Sequence, residues 1–527
     1  MRIRTNIYIL SLLCVGMMGA CSRNGKNADS EQDSLTLDSL KRASEVVERL
    51  PDTTYSSVDV MKYEIDVRDT TTSGRLDTLA DLYIGQPSAM LFRKSPRRDA
   101  TFDGRFDTVP TTIHVDWRYE TGSRPAAQAY QRWGGGTGWN GQPLYIEWPD
   151  SLTARLRNSG AVNADFKGKE VIFGSLIGRV YFLDPQSGKP TRDPIDVTNP
   201  IKGTVSFDPT FNGNLYVGQG IPAGRPFGAL VLDLFNNTVA DTFGEDPKAY
   251  RHWGAYDSSP VRVGQFLFRP AENGSLYKFS IEPGKQKLHS VLRYRAEGKA
   301  LGIEASMAVY ANYGFIADNH GNVIAVNLDT MKPVWHYWLG DDTDATPLVA
   351  VEDGTPYLYV GCEEDLSKRD FARFAKLNAL TGEEVWKLDE QAKRKPVGDK
   401  HFDGGYYASP ILGAGDCEGM IFTNLVKNTN GSNGVFLAID RKTGKKIYEL
   451  PLKYYSWSSP VGALTKDGKM VIVNCDGAGN VYIIDPKKGE VIACENVGHN
   501  FESSPVMVDN RIFIGSRSNG LFGITLK

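Results

Sequence analysis

Two stretches decide the reading: Asn378-Ala-Leu-Thr-Gly-Glu-Glu-Val-Trp386 and Asp440-Arg-Lys-Thr-Gly-Lys-Lys-Ile-Tyr448. In each, Gly follows the Asn or Asp by four residues, and an aromatic follows the Gly by four. A side-chain oxygen that bonds its own backbone, followed by a residue free to take positive φ, suits a tight turn between strands. The pattern recurs at Asp184/Gly188 and Asp485/Gly489, with weaker copies at Asp233/Asn237, Ser280/Gly284 and Asn327/Met331. Their first residues lie 49, 47, 47, 51, 62 and 45 apart along the chain. A period of about 50, with short alternating runs between turns, predicts one four-stranded unit per repeat.

A second mark, a proline opening an apolar strand, runs out of phase with the first. It stands at Pro143, Pro209, Pro260, Pro347, Pro410, Pro460 and Pro505, and Met307 takes its place in one copy, which makes eight. Runs such as Lys469-Met-Val-Ile-Val-Asn474 and Gly479-Asn-Val-Tyr-Ile-Ile484 supply the strands between the marks. Eight small sheets in series bury their apolar faces by stacking radially, which predicts an all-β, eight-bladed propeller of four-stranded antiparallel blades. Roughly 416 residues from 112 to 527 give about 52 per blade, a usual repeat length. The last repeat offers only three strands, and Ile113-His-Val-Asp-Trp-Arg-Tyr-Glu120 carries Trp117 where other outer strands carry Trp335, Trp386 or Tyr448. Residues 113–120 are therefore expected to complete the last blade and latch the ring.

The repeats at 378–386 and 440–448, with Gly321-Asn-Val-Ile-Ala-Val-Asn327, resemble the tryptophan-docking repeat of the pyrroloquinoline-quinone (PQQ)-like β-propeller superfamily. Phe92-Arg-Lys-Ser-Pro-Arg-Arg98 and Val115-Asp-Trp-Arg-Tyr-Glu-Thr-Gly122 resemble the segment that opens many members. The superfamily includes quinoprotein alcohol dehydrogenases and BamB-like outer-membrane assembly lipoproteins, and the architecture is closest to the latter. A shared fold does not assign function. The dehydrogenases place adjacent cysteines over their quinone; this chain has no Cys-Cys pair and no Cys-x-x-Cys-His, so no cofactor is expected. The expected function is that of a non-enzymatic envelope scaffold or binding module acting through protein-protein contacts, possible work being outer-membrane protein assembly. A quinoprotein-type dehydrogenase and a surface carbohydrate- or peptide-binding lipoprotein are the alternatives.

The amino terminus reads as a leader. A basic Met1-Arg-Ile-Arg4 precedes an apolar stretch from Ile7 to Ala20, too short for a membrane anchor, which ends in Met18-Gly19-Ala20-Cys21. That ending resembles a lipoprotein signal, with residues 1–20 removed and Cys21 lipidated; an ordinary secretory signal is the alternative. Ser22 resembles the signal for transport to the outer membrane, where the periplasmic face is expected. Residues 21–51 form a polar tether with one short helical pattern, 52–111 an irregular lead-in, and 112–527 the propeller. The run Arg93–Arg98 is expected to be a solvated surface.

The chain's 527 residues carry 63 acids against 60 bases, for a net charge of -3. Losing the leader removes Arg2 and Arg4 and no acid, which leaves -5; nucleic acid is not an expected partner. Other envelope proteins are expected partners of a monomeric propeller, with the membrane reached through the lipid. The seven histidines show no metal-ligand spacing, and no metal is expected. Cys475 and Cys494 fall on strands separated by a third, so no bridge is expected between them.

One constellation follows from register. The residue three before each strand-opening position enters the innermost strand, and together these positions ring one mouth of the channel: Asn140, Ser206, Asp257, Glu304, Asp344, Tyr407, Trp457 and Glu502. Of the carboxylates and two large aromatics, the functional reading is a mouth that attracts a cation or basic peptide and stacks on it. Solvated loop charges are the alternative. No catalytic residue is assigned. Three polar stretches, the insertions 363–370 and 389–405 and the segment 428–434, are expected to be mobile connections.

Overall fold

The computed structural model describes residues 47–99, 102–124, 135–138, 141–298, 301–397, 400–429, 433–498 and 500–527. The leader, Cys21, most of the tether and Asn140 lie outside the described residues. Eight antiparallel sheets form a closed ring of four-stranded blades. Blade 1 runs Leu144–Glu147, Lys169–Gly174, Arg179–Leu183 and Ile195–Asp196, and helix Asp150–Ser159 lies between its first two strands. In every blade the first strand lines the channel and the fourth lies outside. Central strands such as Met420–Val426 are buried along their whole length because neighbouring blades cover both faces.

The ring closes as the repeat arithmetic predicts. Ile113–Glu120 pairs antiparallel with Gly520–Leu526, from Ile113 opposite Leu526 to Glu120 opposite Gly520, and forms the outer strand of blade 8. Each docking aromatic then donates to the turn of the next blade: Trp117 Nε1 to Pro185 O at 3.0 Å, Trp335 to Ala379 O at 3.0 Å, Trp386 to Arg441 O at 2.9 Å and the Tyr448 hydroxyl to Pro486 O at 2.6 Å. The turn glycine is required beneath the ring. At Gly188, φ is +67°, and a Cβ there would stand 2.5 Å from Trp117. Cys475 and Cys494 are free.

A second ring holds the inner edge. From blade 3 to blade 7 the residue before the strand-opening position donates its N–H to a hydroxyl on the next blade: Ser259 to Ser306, Ser306 to Thr346, Thr346 to Ser409, Ser409 to Ser459 and Ser459 to Ser504, at 2.9–3.0 Å, and Ser504 N closes the ring on Gly141 O at 2.9 Å. Gln142 donates to Thr204 Oγ1 at 2.8 Å. In blade 2 the hydroxyl is therefore Thr204 and the strand opens at Val205, whereas Pro209 follows the inner strand Ser206–Phe207. Counting three back from Val205 puts Lys202 at the mouth, and Ser206 is buried in the inner strand instead.

The lead-in also departs from expectation. Lys62–Val67 adds a fifth, outermost strand to blade 3, and Phe102–Phe106 pairs in parallel with the inner strand Val461–Thr465 of blade 7. Between them the chain threads the channel. Ala89 bridges Tyr145, Met90 O accepts from Phe207 N, Pro96 O from Val309 N and Arg97 O from Val349 N, which ties blades 1, 2, 4 and 5 to one plug. Arg93 and Arg98, read as solvated, are 1% and 0% exposed. Arg93 donates to Pro460 O and Pro410 O at 2.6 Å each, and Arg98 to Met307 O, Phe92 O and Ser259 O at 2.8–3.1 Å. Inner-strand carbonyls facing a channel have no strand to pair with, and the guanidinium forks satisfy them. Burial lowers both guanidinium pKa values to about 9, so both stay charged at neutral pH.

Candidate functional site at the channel mouth

Above the plug, the mouth divides into an acidic arc and an aromatic arc. Blades 2 to 4 supply a buried ion cluster. Lys202 Nζ pairs with Asp257, and with Glu272 and Glu304 at 3.4 and 3.3 Å. Glu272 comes from the turn after the second strand of blade 3, and its Oε2 accepts the indole N–H of Trp253 at 3.1 Å. Burial raises the carboxyl pKa values of Asp257 and Glu304, and burial with Asp257 nearby pushes Glu272 up to about 8. Burial alone would lower the Lys202 pKa; the three carboxylates raise it well above the lysine range instead.

At blade 5 the acids gather differently. Asp342, Asp344 and Glu363 place one oxygen each within 4.8 Å of one another, as do Asp257, Glu272 and Glu304. Glu363 is 4% exposed, and its Oε1, like Asp342 Oδ1, has no hydrogen-bond partner among the described residues. Burial, then Asp344 and Asp342, raise the Glu363 carboxyl well above its ordinary range; burial and Asp344 do the same to Asp342. Asp341 anchors the loop behind them, accepting from the backbone of Asp365, Leu366 and Ser367. The first insertion is thus tied down, contrary to its expected mobility.

The aromatic arc follows in blades 6 and 7. Tyr407 stacks on Trp457 with centroids 4.6 Å apart, and Phe402 stacks on the same indole at 5.3 Å. Tyr455 packs against both Phe402 and Trp457, and its hydroxyl donates to Glu502 Oε1 at 3.0 Å. Glu502 also pairs with Arg517 at 2.6 Å, so this carboxylate is neutralised. Phe402 belongs to the second insertion, where Arg394 pairs with Asp403 at 2.8 Å and Asp365 at 3.2 Å. That insertion forms the rim of the mouth.

Of the positions read from register, Asp257 and Glu304 meet on Lys202, Asp344 meets Asp342 and Glu363, Tyr407 meets Trp457, and Glu502 is held by Arg517 and by the Tyr455 hydroxyl of the aromatic arc. All are partnered; Asp257 and Glu502 are buried, and Glu304, Asp344, Tyr407 and Trp457 are half-buried. Lys202, Glu272, Asp342, Glu363 and Phe402 were missed by that reading. Lys202 was within reach: the hydroxyl before the strand opening is more constant along the chain than the proline.

The Lys202 cluster and the Trp457 ring do not fit a quinone with its cation. Trp457 already stacks with two rings, and Lys202 already supplies the positive charge among Asp257, Glu272 and Glu304.

Residues 349–526 match the family described as outer membrane protein assembly factor BamB. No curated protein matches the chain in sequence. A europium-containing methanol dehydrogenase shares 12% identity with a TM-score of 0.56, covering 84% of this chain and 99% of its own. Quinohemoprotein alcohol dehydrogenase ADHIIG from Pseudomonas putida HK5 shares 13% with a TM-score of 0.58, covering 86% and 82%. BamB from Moraxella catarrhalis shares 17% with a TM-score of 0.44, covering 68% and 93%. At these identities the dehydrogenase likeness is one of fold. Docking aromatics on turn glycines, eight blades and the family match over residues 349–526 together give the chain the fold of a PQQ-like β-propeller.

Proposed function

We propose that the chain is a lipid-anchored, non-enzymatic binding module of the bacterial envelope, whose channel mouth takes a basic segment of a partner protein. The observation that carries this is the Asp342, Asp344 and Glu363 group, in which Asp342 Oδ1 and Glu363 Oε1 are buried with no hydrogen-bond partner among the described residues, beside the aromatic stack of Tyr407 and Trp457. A lysine or arginine side chain entering there meets carboxylates on one side and rings on the other. The blind floor made by the plug suits binding at the mouth and not passage through the ring. Similarity of residues 349–526 to an outer-membrane assembly factor supports a partner in the envelope, with the anchor on Cys21 and the periplasmic face of the outer membrane as the place.

The test uses the full-length protein in detergent, titrated with a short Lys/Arg-rich peptide. Binding is expected to be saturable, to weaken with salt, and to fall at least about tenfold in Asp344→Asn and Glu363→Gln. Equal affinity in both variants removes the mouth from the reading. Quinone with calcium is titrated in parallel, and saturable binding with alcohol turnover overturns the non-enzymatic assignment. Cys21→Ser is expected to leave the membrane fraction after export.

A further inference from the structure

Among the described residues, two groups bring oxygens of three carboxylates within 4.8 Å of one another. In the first, Asp257, Glu272 and Glu304, the protein supplies its own cation, since Lys202 Nζ pairs with all three. The second, Asp342, Asp344 and Glu363, has different neighbours. The charges that act most strongly on Asp342 are those of Asp344, Glu304, Asp365 and Asp341, and on Glu363 those of Asp344, Asp342 and Asp403; every one is an acid. The Glu363 carboxylate, 4% exposed, accepts from the Tyr407 hydroxyl, yet its Oε1 has no partner among the described residues, nor has the buried Asp342 Oδ1.

Backbone contacts hold the group in shape. Glu363 N donates to Asp342 O at 2.8 Å, and Glu363–Glu364 pairs antiparallel with Gly404–Gly405, where a Cβ on Gly405 would stand 2.4 Å from Glu363 Cα. Three carboxylates this close in a buried setting repel one another, and a cation between them offsets the repulsion. The donors are oxygen alone, which selects a hard cation over zinc or copper. Calcium sits about 2.3–2.6 Å from its ligand oxygens and so bridges oxygens up to about 5 Å apart. That contact is shorter than the roughly 2.7–2.8 Å of a hydrogen-bonded water, so oxygens too enclosed to meet solvent can still close on the ion. Asp344, half-buried, opens the group to the mouth. We infer that the carboxylates of Asp342, Asp344 and Glu363 form a calcium site, with the partnerless oxygens of Asp342 and Glu363 among its ligands and Asp344 at its entrance. The site does not rest on the basic segment proposed above, but it draws on the same carboxylates, so the two exclude each other.

Calorimetry tests it on the full-length protein in detergent, stripped with EDTA and held at about 150 mM NaCl, where exposed acids are screened. With calcium chloride as the probe, saturable binding with a Kd below about 1 mM is expected. Terbium luminescence excited through the Tyr407 and Trp457 rings reads the same group, and calcium should displace the signal. Glu363→Gln and Asp342→Asn are each expected to lose at least about tenfold in calcium affinity. Asp467→Asn, an exposed acid paired with Lys469 at 2.8 Å elsewhere on the surface, keeps the parent affinity. Both carboxylate variants remove a repelling charge and should melt no lower than the parent in EDTA. Calcium should raise the parent Tm by a few degrees and leave that of Glu363→Gln unmoved. The Lys/Arg-rich peptide is titrated in EDTA alongside: peptide binding without calcium binding overturns the calcium site and keeps the segment, and calcium binding without peptide binding does the reverse. No saturable calcium binding, undiminished binding in both carboxylate variants, or a calcium-driven Tm rise shared by Glu363→Gln overturns the proposal.

Discussion

Around one mouth, blades 3, 4 and 5 present Asp257, Glu304 and Asp344, while blades 6 and 7 present Tyr407 and Trp457 at the same structural position. The ring of residues two positions on is Ser or Thr in blades 2 to 8, and from blade 4 to blade 8 its hydroxyl accepts the N–H of the blade before. Nothing in the ring dictates the mouth residue. The difference teaches that geometry is carried by the repeated positions and chemistry by the positions the repeat leaves free. The arcs also differ in what holds them: charges compensated in a buried cluster on one side, stacked rings on the other.

The largest expected effect breaks the acidic arc at its cation. Lys202→Met strands three buried carboxylates, a change expected to cost about 3–5 kcal/mol. The loss should shrink at acid pH, where the carboxyls protonate. Denaturant unfolding at pH 5 and pH 8 measures it, and a small loss that is equal at both would mean that the cluster does not bind its charges together. Arg98→Met removes the donors to three carbonyls beneath both arcs and should cost about 3 kcal/mol. Because the plug touches neither arc's titration, this loss should be the same at pH 5 and pH 8. Trp457→Ala opens the aromatic arc; a half-buried indole stacked on two rings is expected to be worth about 2 kcal/mol, again independent of pH. A pH-dependent loss there would join the two arcs into one electrostatic unit and end the distinction.

The ring and its latch were legible because turn residues, docking aromatics and strand alternation all obey backbone rules that repeat. Trp117 could be placed by analogy with Trp335 and Trp386 alone. The plug was not legible, since Arg93–Arg98 has the composition of a solvated run and only the carbonyls of four distant blades explain its burial. The mouth was half legible. Register gave Asp257, Glu304, Asp344, Tyr407 and Trp457, but Glu272, Asp342, Glu363 and Phe402 come from turns and insertions outside the register. Lys202 was lost to a single misplaced proline, Pro209, which follows its strand.

The smallest effect sharpens the comparison most. The Glu272 carboxyl is pushed up to about 8 by burial and by Asp257, above its value in the unfolded chain. A group raised on folding contributes stability that is present below its unfolded pKa and lost as pH rises through the folded one. Glu272 therefore costs the parent stability between about pH 5 and 9, a range in which the unfolded chain has already released that proton. Glu272→Gln cannot titrate, and its amide oxygen can still accept the Trp253 N–H that Oε2 accepts at 3.1 Å. The variant should match the parent near pH 5, melt a few degrees higher at pH 9, and show a flatter slope of Tm against pH between them. Trp457→Ala should keep the parent slope. If Glu272→Gln keeps it too, the proton is held by another member of the cluster, and the acidic arc titrates through Asp257 or Glu304 instead.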